Sequence, residues 1–258
     1  MQSLSLRVSC AAVIACAIHA CSSSEGSPAG RPGPDPSTDG GGSTTEASAE
    51  TDAGTVTITH ETMVVGDTTH SYLLALPPGY DPNRTYPLVL SFHGNPGTAV
   101  GMAGALPFDT VSKRGAVIAY PQGQGNNWDL YTKTASNADM AFIQALPAEI
   151  QSKANIDLSR VFGFGYSGGG FFLPQFTCRF GGIFKAIAVL SGGGPDEPEM
   201  NFGKYPNGCY KCPGGPIPAL VMHGKADPEV TWDSGDFTHA CFATFNGCQS
   251  TLSATTPS

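Results

Sequence analysis

The stretch "RVFGFGYSGGGFF", Arg160 to Phe172, decides how the rest of the chain is read. An apolar run ends in a lone serine, Ser167, with glycine at 165, 168, 169 and 170. Gly165 to Gly169 satisfies G-x-S-x-G, a weak signal unless a strand precedes it and a helix follows; both are predicted here. The chemistry accounts for the glycines. A nucleophilic serine must project from a sharp, strained turn, and side chains at 165 and 169 would strike the neighbouring strand and helix. The N–H of Gly168 then lies at a helix N-terminus, where developing negative charge is stabilised. A glycine-rich turn that merely packs, or one that binds phosphate, is the alternative. A phosphate loop calls for G-x-x-x-x-G-K-[ST], and no lysine follows here.

Outward from this turn, strands and helices alternate. "TVTITHETMVV" and "HSYLLALPPGY" show partial alternation and predict two antiparallel strands joined at Gly66-Asp67. "LVLSFHG", "AVIAYP", "RVFGFGYS", "KAIAVLSGGG" and "ALVMHGKAD" are short continuous apolar runs, as expected of strands covered on both faces. Helical character appears after residue 98, in "ASNADMAFIQALPAEIQSKANI", where Pro147 is expected to kink the helix, and after Ser167. Such alternation predicts an α/β fold with a mostly parallel sheet, antiparallel N-terminal strands and right-handed crossovers.

Five segments, "YPLVLSFHGNPG", "NADMAFIQALPAEI", "IDLSRVFGFGYSGGGFF", "FKAIAVLSGG" and "PALVMHGKADPEV", occur in an order that resembles secreted α/β-hydrolase esterases. The group is the polyhydroxybutyrate-depolymerase-like one, with feruloyl and acetylxylan esterases of carbohydrate esterase family one. The resemblance covers about residues 70 to 250. It implies a serine esterase working through an acyl-enzyme on polysaccharide-linked or polyhydroxyalkanoate esters, with neither metal nor organic cofactor. It makes Ser167 the nucleophile and "HGN" the oxyanion loop, with backbone N–H groups near Gly94 and Asn95 joining that of Gly168. His93 becomes a structural loop residue. Asp227 in "HGKADPEV" becomes the acid that orients an imidazole, although an aspartate before proline is also a common turn. Asp233 and Asp236 are less well placed, and His223 is expected to hold the loop.

The base is harder to find. This fold orders its residues Ser, then Asp, then His, and after Asp227 the sequence holds only His239, on a predicted helix. A histidine on such a face is more commonly packed or solvated than catalytic. In the resembling family the base lies beyond a further strand, and cysteines downstream pair with ones like Cys241 or Cys248. The resemblance therefore implies a domain, residues 55–258, that lacks its last strand and helix. A catalytically dead relative that binds rather than hydrolyses, and a peptidase of the same fold, are the rivals.

The remaining sequence bounds the setting. The chain has 258 residues, is 40% hydrophobic and 13% charged, and carries a net charge of −8, which argues against nucleic acid as a partner. Residues 1–20 read as a signal peptide ending in "IHAC", which resembles a bacterial lipobox with a lipid on Cys21; an ordinary secretory peptide is the plainer alternative. Residues 21–54, rich in Ser, Gly, Pro and acids, read as a tether. Export, with a lipid anchor in a bacterial membrane, follows. In an oxidising space Cys178, Cys209, Cys212, Cys241 and Cys248 should pair, with one left over and the pairing open. "CYKC" lacks two further ligands for a zinc site and reads as structural. Trp128 fits a substrate cleft or the core equally. "NRT" at Asn83 matches a glycosylation triplet to which no weight is given in a bacterial lipoprotein.

Overall fold

The computed structural model describes residues 56–108, 115–195 and 203–248. The segments read as a signal peptide and a tether, with Cys21, lie outside the described residues. β1 (Thr57–Val65) and β2 (Thr68–Leu76) form the expected antiparallel pair. β3 (Tyr86–Phe92), β4 (Val117–Pro121), β5 (Ile156–Tyr166), β6 (Ala186–Leu190) and β7 (Ala219–Met222) complete one sheet in the order β1-β2-β4-β3-β5-β6-β7. From β4 onward neighbouring strands run parallel. The order reverses around β3, so the loops after β3 and β5 meet at the carboxyl edge of adjacent strands, where open α/β sheets build their sites.

Among the described residues the α-helices are α1 (Ala99–Ala105), α2 (Ala138–Lys153), α3 (Gly168–Arg179) and α4 (Trp232–Phe245). Period-two alternation sorts β4 between the two faces of the sheet. Val117 and Ala119 join a cluster with Phe142, Ile143, Leu146, Phe172 and Phe176 from α2 and α3, while Ile118 and Tyr120 join Ala99 and Met102 from α1. Burying one such aromatic or aliphatic side chain contributes roughly 1.5–3 kcal/mol. Thr98 caps α1 by accepting the Gly101 N–H at 2.9 Å, and Asn137 caps α2 by accepting that of Met140 at 2.9 Å. Pro147, where a kink is expected, lies buried inside one continuous helix from 138 to 153.

Two disulfides fasten the carboxyl half. Cys178 on α3 joins Cys212, and Cys209 joins Cys241 on α4. The two cysteines of "CYKC" thus reach different helices. Of Cys241 and Cys248, the two cysteines for which the resemblance left a downstream partner open, Cys241 is bonded to Cys209. Cys248 belongs to neither disulfide, and its sulfur lies 4.0 Å from the Asn246 carbonyl oxygen.

Candidate active site

Ser167 sits where β5 ends and α3 begins, with φ 50° and ψ −118°. A non-glycine residue held there costs on the order of 1–3 kcal/mol and persists only where its surroundings fix it. They do. The Ser167 N–H donates to Leu190 O at 3.0 Å, and Ser167 O accepts from the Phe171 N–H at 3.0 Å. A Cβ on Gly165 would lie 2.4 Å from Gly169 O, and one on Gly169 would lie 2.6 Å from the carbonyl oxygens of Phe92 and His93. Strand end and helix start therefore approach more closely than any side chain allows, which is what the sequence motif required. Ser167 itself is half-buried.

The loop after β3 faces this turn. A Cβ on Gly168 would lie 2.3 Å from Asn95 Cγ, and one on Gly94 would lie 3.3 Å from Ser167 Cβ. The Gly168 N–H begins α3 and has no carbonyl one turn earlier within the helix. Asn95 is fixed by pairing its side-chain amide with the Trp128 backbone: Oδ1 accepts the Trp128 N–H at 2.9 Å and Nδ2 donates to Trp128 O at 3.4 Å. The Asn95 side chain is thereby held against Gly168, the residue that follows Ser167.

His93 is 2% exposed and is not a base. Its Nδ1 meets Gly94 O at 2.7 Å, while Nε2 accepts the Gly123 N–H at 3.0 Å. Both nitrogens are engaged, so the ring is neutral with its proton on Nδ1. Burial pushes its pKa below the ordinary histidine value. Gln122, which the sequence reading passed over, supports the same loop: Oε1 accepts the Ala99 N–H at 2.9 Å, and Nε2 reaches His93 Nε2 at 3.2 Å. Trp128 is 3% exposed and belongs to the core, against Phe92 and Phe172. Asp139, also passed over, is buried in the first turn of α2 and accepts the N–H groups of Asp129 at 2.9 Å and Gln124 at 3.3 Å. Burial pushes its carboxyl above the ordinary range. Neither role had a signal in one sequence, because each depends on a loop folding back onto a distant residue.

Asp227 lies in the loop after β7. Its Oδ1 accepts the N–H groups of Glu229 and Val230, both at 3.0 Å. These two bonds, with one from the Ser191 hydroxyl, hold its carboxyl below the usual carboxylate range. Ser191 follows Leu190, whose carbonyl accepts the Ser167 N–H, and its own N–H donates to Met222 O at the end of β7. His223 keeps its Nε2 2.7 Å from Val230 O and 3.8 Å from Asp227 Oδ2, in the loop-holding place expected of it. Its Nδ1 is packed where a Cβ on Gly235 would lie 2.5 Å away. His239 lies half-buried on α4; among the described residues no hydrogen bond joins it to Asp227 or Ser167. Asp233 and Asp236 are exposed on the same helix. Among the described residues no cluster of His, Cys, Asp and Glu could hold a metal ion.

The relationship to known proteins accords with this geometry. The chain is 30% identical over 188 residues to feruloyl esterase C of Emericella nidulans, covering 70% of this chain and 63% of that protein. It is 25% identical over 169 residues to feruloyl esterase B of Piromyces equi, covering 63% and 30%. The acetyl xylan esterase of Aspergillus awamori superposes with a TM-score of 0.61 at 19% identity, covering 74% of this chain and 80% of the other. The chain has the α/β-hydrolase fold. No protein-family model matches it. The matched part spans less than two thirds of the length of the Emericella relative. The hydrolase fold alone does not choose the reaction, since the acylaminoacyl peptidase of Pyrococcus horikoshii also superposes, with a TM-score of 0.53 at 14% identity over 76% of this chain and 36% of the other. The sequence relatives are named esterases, in keeping with the group that the motifs resembled.

Proposed function

We propose that this hydrolase is a serine esterase acting on carboxylic esters attached to polysaccharide, such as feruloyl or acetyl groups. The observation that carries the reading is the strained Ser167, followed by Gly168 against the Asn95 side chain, at the carboxyl edge of β3 and β5. Ser167 Oγ attacks the ester carbonyl while its proton passes to a base, water or free imidazole, and the carbonyl π electrons move to the oxygen between the two N–H groups. The intermediate collapses, the protonated base returns that proton to the departing alkoxide, and an acyl-serine remains. Water then attacks, giving its proton to the base; collapse releases the carboxylic acid as the protonated base reprotonates Ser167 Oγ. One oxyanion donor is worth about 3 kcal/mol of barrier. Asp227, its carboxyl held below the usual range and fixed by the Glu229 and Val230 N–H groups, is suited to orient an imidazole and stabilise its charged form.

Among the described residues no imidazole reaches Ser167, so the chain is expected to turn over slowly and to respond to free imidazole. Hydrolysis of p-nitrophenyl acetate with and without imidazole tests this: a rate above that of Ser167→Ala, raised further by imidazole, supports it. Equal rates in the two proteins overturn it. The same observation favours a second reading, a binding protein on a hydrolase scaffold. Retention on feruloylated arabinoxylan without Ser167-dependent hydrolysis selects that reading. The two disulfides support export, because such bonds persist in oxidising compartments. The reading includes residues 1–20 as signal peptide, a lipid on Cys21, residues 21–54 as tether and residues 55–258 as the esterase domain. Radiolabelled palmitate incorporation lost in Cys21→Ser tests the anchor.

A further inference from the structure

Tyr166 is 43% exposed although it belongs to β5, which has strands on both sides. Its neighbours Gly165 and Gly168 are buried. A Cβ on Gly94 would lie 3.4 Å from Cδ1 and Cε1 of Tyr166 and 3.3 Å from Ser167 Cβ. The edge of the phenol ring and the serine therefore border the same glycine, one residue before Asn95. An ester carbonyl attacked by Ser167, with its oxygen on the Asn95 and Gly168 backbones, must carry its substituent past this ring. Three more exposed apolar side chains, Val100, Tyr131 and Trp232, belong to segments following β3, β4 and β7, which leave the sheet at the same edge.

We infer that Tyr166 determines the specificity of this site, as an aromatic platform for a planar group attached to the reacting carbonyl. The inference rests on the serine-esterase reading. An acetyl methyl covers little of a phenol ring, whereas a conjugated aromatic acyl group lies across it and gains stacking as well as burial. Since the ring and not the hydroxyl makes the platform, phenylalanine replaces it and leucine does not.

The test compares kcat/KM for p-nitrophenyl cinnamate with that for p-nitrophenyl acetate, both with imidazole present. Tyr166→Leu is expected to lower the ratio about tenfold, through KM for the cinnamate, and Tyr166→Phe to hold it within about twofold. An unchanged ratio in Tyr166→Leu, with Ser167-dependent hydrolysis of both esters, overturns the inference and leaves the esterase reading standing. If neither ester is hydrolysed in a Ser167-dependent way, the esterase reading fails, and binding decides the role of Tyr166. Methyl cinnamate is then titrated by saturation-transfer NMR into Ser167→Ala and into the double variant with Tyr166→Leu. Weaker binding by the double variant supports the platform, and equal binding overturns it.

Discussion

The carbonyl oxygen of His93 accepts the N–H of Gly169 at 2.9 Å, and the same oxygen accepts Trp128 Nε1–H at 2.8 Å. The loop that offers Asn95 and the helix that offers Gly168 are thus tied at one atom, with the indole of Trp128 beneath them. Trp128→Phe keeps an aromatic ring against Phe172 but removes the second bond. A neutral hydrogen bond contributes about 0.5–1.5 kcal/mol, so thermal unfolding is expected to fall by about 2–4 °C. Ser167-dependent hydrolysis should fall by a larger factor than stability alone explains, measured on p-nitrophenyl acetate well below the midpoint.

Gly168 has no room for a side chain, because Asn95 Cγ would lie 2.3 Å from the new Cβ. Gly168→Ala must displace Asn95 and with it one oxyanion donor. The imidazole-stimulated rate is expected to drop about 10²–10³-fold while circular dichroism stays unchanged. Retention of the full rate would separate Asn95 from the reaction.

The Cys178–Cys212 disulfide spans 34 residues and the Cys209–Cys241 disulfide spans 32. Loops of this length restrict the unfolded chain by about 3–4 kcal/mol each in the entropic model. Cys209→Ser with Cys241→Ser frees α4 from the preceding loop and should lower the urea midpoint accordingly, with the loss of Asp227-dependent activity following α4. Denaturant curves with and without reductant measure this.

His70 stacks on Phe142 with ring centroids 4.4 Å apart, and burial lowers its pKa below the ordinary value, as it does for His93. The unfolded chain therefore binds these protons at higher pH than the folded one. Their contribution is complete above about pH 6.5 and is lost as pH falls through the lower folded values. Asp139 has the opposite sign, since its raised carboxyl pKa favours the folded state on acidification, but in the carboxyl range near about pH 4. Urea midpoints should fall from about pH 7.5 to about pH 5.5, and fall less in His70→Phe. Equal falls in both proteins would remove His70 from the cause.

Much of this molecule was legible in sequence because its key constraints are local. The period-two pattern of β1 and β2, the apolar runs of β3 to β7 and the glycines around Ser167 each follow from steric rules acting over a few residues. Asp227 was singled out by the resemblance of "HGKADPEV" and lies in the loop after β7, where its carboxylate accepts the N–H groups of Glu229 and Val230. What escaped was contact between remote segments: Gln122 on His93, Asp139 on the Asp129 backbone, Cys178 with Cys212. Trp128 could be read as cleft or core because composition around it was neutral; only its packing on Phe92 and Phe172 settles the matter. Pro147 was expected to kink α2, and it lies inside one continuous helix.

Trapping the acyl-enzyme tests the central claim most directly. The protein is mixed with p-nitrophenyl cinnamate and imidazole, quenched in acid, digested and analysed by mass spectrometry. The account predicts a cinnamoyl group on Ser167, absent from Ser167→Ala and diminished in Gly168→Ala. Acylation confined to lysines or other serines, with Ser167 unmodified, would contradict it.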